Sequence, residues 1–162
     1  EIPAEAETYT SQNVAGRMID GLGFRYYWAT EGLRAEDLQY QPKGNGRNCL
    51  ETITHLFNLS NVLIQLTKTE FSQKKQATMS FAEMRAQTLW NLKAVSNRIK
   101  NSKNLSEFDA KKDGKVTIPF YNLINGPIAD AIWHTGQVAS FRRSSGNPIN
   151  SKVNHFSGTV RK

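Results

Sequence analysis

The chain has 162 residues, with 21 Lys+Arg against 14 Asp+Glu for a formal charge of +7, and 38% of its residues are apolar. That length suits one hydrophobic core, while 5 Pro, 11 Gly and 10% aromatic residues exclude the disordered and collagen-like classes. A single cysteine, Cys49, excludes an intrachain disulfide framework and a cysteine-rich zinc module.

Asn, Lys, Arg or Gln interrupts every apolar run short of the roughly 18–20 residues of a membrane span, so the sequence predicts a soluble chain. It starts at Glu1, and the compartment stays open between the cytoplasm, which is favoured, and export after removal of a leader. Residues 1–70 carry 6 basic and 9 acidic side chains, and residues 71–162 carry 15 and 5. This asymmetry raises nucleic-acid binding as a class. However, the cations Lys74, Lys75, Lys93, Arg98, Lys100, Lys103, Lys111, Lys112 and Lys115 are spread out and lack interleaved stacking aromatics. A solvated face is the expectation, and nucleic acid is not an expected partner.

The first helix is predicted from Thr10 or Ser11 to Leu33, because Ala15, Ile19, Leu22, Tyr26, Ala29 and Leu33 recur at steps of three and four. Gly16, Gly21 and Gly23 each cost about 1 kcal/mol relative to Ala, so packing must hold this helix or let a neighbour approach closely. A polar connection follows over residues 34–47. The second helix opens at Asn48, which stands with Glu51 in a capping-box relation, and runs to about Lys68. The third opens at Ser80 with Glu83 three residues on, and ends near Lys100 to Lys103.

Residues 101–122 read as a long connection with an extended piece at 116–120, of the kind that carries function or forms a lid. A fourth helix is predicted from Asn125-Gly126-Pro127 to Gly146, with Arg142 and Arg143 in its last turn complementing the dipole or receiving an anionic substrate. These elements make an all-α four-helix bundle over residues 1–148, followed by a loosely packed tail, 149–162, that carries an exposed His155. The long third connection allows an order other than up-down-up-down. Trp28, Trp90, Trp133 and the Tyr26-Tyr27 pair are expected to fill the bundle, with Trp133 also placed to line a pocket.

Chemistry concentrates in scarce residues. His55 falls in step with Leu59, Val62 and Leu66 and is predicted to point inward; Asp130 and His134, four apart, project from one face, continued by Gln137 and Phe141. A buried Asp130 needs a cation or donor. Two imidazoles and a carboxylate would make a three-ligand site for Zn, Ni, Fe or Mn with open positions for water or substrate. The competing account is a metal-free Asp130–His134 pair. Glu51 is a candidate general base or ligand-orienting group, although its cap explains it. Gln137 either orients a metal-bound group or bonds a neighbouring helix. Cys49 reads as a small buried residue rather than a reactive thiol.

The segment Asn48-Cys-Leu-Glu-Thr-Ile-Thr-His55-Leu, after residues 33–42, together with His134-Thr-Gly136-Gln137-Val138 and Arg142-Arg143-Ser-Ser-Gly146, resembles the DinB-like (DinB/YfiT) superfamily over about residues 10–148. That family's label describes DNA-damage-inducible expression, not DNA chemistry. The resemblance implies a bacterial metal-dependent bundle with one ligand on the second helix and two on the fourth, here His55, Asp130 and His134. Asp130 stands where the family usually has His. It also implies thiol transfer from a low-molecular-weight thiol, or hydrolysis, together with a homodimer. The alternative is a non-catalytic bundle that holds a small ligand or partner over a degenerate metal site.

Overall fold

In the computed structural model, which describes residues 1–70 and 79–162, four long helices form an all-α bundle. They are α1 (Ser11–Thr30), α3 (Cys49–Leu66), α4 (Phe81–Lys100) and α6 (Ala129–Ser144), with two short helices, α2 (Ala35–Gln39) and α5 (Phe120–Leu123). Lys74 and Lys75 of the basic half lie outside the described residues. No helix among the described residues is long and apolar enough to cross a membrane.

Helix starts follow local chemistry. The Thr10 hydroxyl accepts the Asn13 N–H and caps α1. Asn48 with Glu51, and Ser80 with Glu83, form reciprocal capping boxes on α3 and α4, satisfying N–H groups that a helix start leaves open. The connection 34–47 is not wholly irregular. Asp37 folds back onto the Arg34 N–H, starting the α2 turn.

α1 packs against α4 and α6, and α3 packs against the same two helices. Arg142, at the end of α6, bonds the carbonyls of Trp28, Ala29 and Glu31 at the end of α1, so these two helices run parallel. Thr54 meets Met84 while Asn91 meets Ser60 and Asn61, which makes α3 and α4 parallel too. The departure from up-down-up-down order therefore falls between the second and third long helices rather than at the long third connection. The core comprises Ile19, Leu22 and Tyr26 of α1, Ile53, Phe57 and Leu63 of α3, Val95 and Ile99 of α4, and Val138 of α6, all fully buried. Each such side chain contributes about 1.5–3 kcal/mol of burial.

Gly16 illustrates the close approach expected of the α1 glycines. A Cβ there would lie 2.5 Å from Lys100 Cγ, and Lys100 uses this room to reach the buried Asp20 carboxylate. Two tryptophans depart from expectation: Trp133 is 72% and Trp90 49% exposed, because both lie on outward faces of their helices. Of the predicted Tyr26-Tyr27 pair only Tyr26 is fully buried, Tyr27 being exposed, and burial pushes the Tyr26 phenol up to about 12.

The third connection contains a 3₁₀ turn, Leu105–Phe108, and a hairpin of β1 (Ala110–Lys112) with β2 (Lys115–Ile118), turning through Asp113 and Gly114 at positive φ. Helical structure then resumes at Phe120, five residues before the predicted start. Gly126-Pro127 lies within a π-type turn over Ile124–Ile128, bent at Gly126 (φ −90°, ψ −108°), and the chain continues directly into α6. Pro127 lacks the N–H that a regular helix would use here. The tail is more ordered than expected: β3 (Val153–Asn154) pairs with β4 (Thr159–Val160), and Asn147 is tied back to Asp37 and Arg142.

Candidate metal centre

His55 lies two turns into α3 and faces α6. The fully buried stripe of α3 passes through Ile53, Leu56, Phe57, Ser60 and Leu63, so the His55 row is its partly exposed border, with Val62 at 39%. Asp130 and His134 occupy the first two turns of α6, aimed at α3 just beyond the bend at Gly126.

The three predicted ligands converge. His55 Nε2 is 3.1 Å from Asp130 Oδ2, and His134 Nε2 is 3.3 Å from Asp130 Oδ1. The ligand atoms of all three lie within 4.8 Å of one another. The imidazole rings meet edge to face, 4.6 Å apart at 89°. His134 is the most enclosed, its side chain 15% exposed, against 26% for His55 and 41% for Asp130. One side of the cluster is therefore open to solvent.

Gln137, one turn beyond His134, places Oε1 2.7 Å from His134 Nδ1. An amide oxygen only accepts, so this contact is a hydrogen bond when Nδ1 carries the proton, and Nε2 then faces the Asp130 carboxylate either as a lone pair or as a second N–H. Two acceptors 3.3 Å apart repel each other unless a cation lies between them, either a metal ion or a second proton on His134. The donor set suits the ion. Zinc bonds of about 2.0–2.1 Å in tetrahedral array separate neighbouring ligand atoms by about 3.3 Å, near the observed carboxylate–imidazole spacings. The described residues thus hold a His/His/Asp cluster able to coordinate a metal ion. Gln137 bonds within its own helix rather than across to a neighbour.

The remaining candidates lie elsewhere. Glu51 is exposed and engaged in its capping box. Cys49 is fully buried, and burial pushes its thiol up to about 11, out of the reactive range. Arg143 is exposed, but Arg142 is 4% exposed and spends its guanidinium on α1 carbonyls and on Asn147. It complements the negative end of a neighbouring helix as well as its own. His155 is exposed, as expected, and packs edge to face on Phe24.

One buried polar cluster went unread in the sequence. Asp37, fully buried, accepts from Arg34, Ser145 and Asn147, and these donors hold its carboxyl well below the usual carboxylate range. Ser145 and Asn147 are more than a hundred residues away, so no local pattern could have marked the site. No family model, curated protein or solved structure matches the chain.

Proposed function

We propose that this chain is a DinB-like, divalent-metal-dependent enzyme that uses His55, Asp130 and His134 as ligands, and that it catalyses transfer of a low-molecular-weight thiol or hydrolysis. One observation carries the reading. The ligand atoms of His55, Asp130 and His134 converge within 4.8 Å of one another, with Gln137 hydrogen-bonded to the far nitrogen of His134.

Bound there, a divalent metal would supply Lewis acidity, lowering the pKa of a thiol or water toward neutrality. The chain's own contributions are specific. His55 and His134 would supply nitrogen donors, Asp130 would supply the charge that offsets the ion, and Gln137 orients the His134 ring through its hydrogen bond to Nδ1. The open side of the cluster gives a small substrate its approach.

A non-catalytic reading has one observation in its favour: 3.1 Å is also an ordinary hydrogen bond from a protonated His55 Nε2 to Asp130. Elemental analysis of protein purified without added metal, beside His134→Ala, separates the two. Stoichiometric metal in the parent that is missing from the variant, with metal-dependent thiol conjugation of an electrophilic fluorogenic acceptor or hydrolysis of a model ester, supports the enzyme. Absence of metal from both, with equal stability, refutes it.

A further inference from the structure

The two ends of the chain meet against α1 and help wall a groove that the metal centre does not use. Ile2 donates its N–H to the Gly158 carbonyl at 2.9 Å, and its side chain fills the space where a Cβ on residue 158 would stand. Arg25 reaches the His155 carbonyl at 3.3 Å.

The groove encloses about 710 Å³, within the range of small-molecule sites. Val14, Met18 and Leu22 of α1 and Ile132 of α6 give it an apolar lining, and its rim carries Tyr9 and Phe156, 90% and 102% exposed. Arg17, Arg25 and Lys100 also line it, with Glu5 as the acidic residue. Lys100 is neutralised by Asp20. Arg17 instead donates to the Pro3 carbonyl at 2.5 Å, and Arg25 to those of Gly21 and His155. Carbonyls accept hydrogen bonds without cancelling charge. Among the described residues, neither guanidinium has a carboxylate at ion-pair distance.

Arg17 and Arg25, unpaired with any carboxylate of the described residues and outnumbering Glu5, leave a net positive end beside an apolar trough, which fits a ligand with one anionic end and a hydrocarbon body. We infer that this groove binds a medium-chain monocarboxylate, its carboxylate on Arg17 and Arg25 and its tail along Val14, Met18 and Ile132. Guanidinium suits that end, since it grips a carboxylate through two parallel N–H bonds. Ile132 faces the groove while Asp130 and His134 face α3, so the site is separate from the metal centre and independent of the function proposed for it.

The test is an amide chemical-shift titration of the full chain with decanoate below its micelle concentration. Saturable shifts confined to residues 13–25, 132 and 155–156 are expected. Decanol and the Arg17→Met variant should bind at least about tenfold more weakly, and Arg17→Lys should keep much of the affinity. Met18→Trp, which fills the trough, should abolish the shifts, and His134→Ala should leave them unchanged. The inference is overturned if decanol binds as well as decanoate, if shifts scatter over the whole surface, or if binding appears only with anionic vesicles.

Discussion

Replacing Gln137 with Ala removes the acceptor 2.7 Å from His134 Nδ1 while leaving all three proposed metal ligands in place. The loss has two parts. One neutral hydrogen bond is worth about 1 kcal/mol net, and the imidazole also gains freedom to rotate away from Asp130. Partners of this kind typically account for about 10–100-fold in metal affinity, or about 1.4–2.7 kcal/mol. Competition with a chromophoric chelator for Zn²⁺ and Ni²⁺ reads that loss directly, and urea unfolding of the metal-free proteins checks that the fold is intact. Gln137→Glu keeps an oxygen acceptor and should recover most of the affinity. The reasoning fails if the Ala variant binds metal as tightly as the parent, or if Glu and Ala are equally weak.

Asp37→Asn should cost about 3 kcal/mol at pH 7, since it removes a buried carboxylate held by Arg34, Ser145 and Asn147. The native carboxyl titrates well below its unfolded value, so its contribution is present above the unfolded pKa and declines as pH falls toward the native one. The gap between parent and variant in urea unfolding should narrow from pH 5 to pH 3; a constant gap would contradict the assignment. Gly16→Ala should lower stability by about 1 kcal/mol, its Cβ displacing Lys100 at a cost that exceeds the gain in helix propensity. Gly136→Ala meets open space on an exposed helix face and should raise stability by about 0.5–1 kcal/mol in the same assay. Trp133→Ser should leave the midpoint unchanged within about 0.5 kcal/mol, since this ring packs little against the bundle.

Features governed by short-range chemistry could be read from the residues in order. The caps at Asn48 and Ser80 stand where their partners three residues on place them, and the spacing of Asp130 and His134 put both on one face of their helix. Convergence with His55 was suggested by its row on the second helix, although that row proved to be the border of the buried face. Two things escaped for physical reasons. Gly126-Pro127 read as a helix boundary because both residues disfavour a regular α-helix, yet a π-type turn accommodates them and lets helical structure begin at Phe120. Arg142 read as a complement to its own helix, while its burial depends on where the end of α1 comes to rest.

The bend at Gly126 also ties the geometry of the His55/Asp130/His134 cluster to the fold. A π-type turn amounts to one extra residue in a helix, and each residue of an α-helix advances about 100°. Deleting a single residue from Ile124–Ile128 would turn α6 by that angle. Asp130 and His134 would keep their mutual spacing but leave His55 behind, and Ala131 and Val138 would swing out of the core in the same movement. The phase of the last helix therefore sets two things at once, so a variant that keeps the core in register keeps Asp130 and His134 aimed at His55 as well.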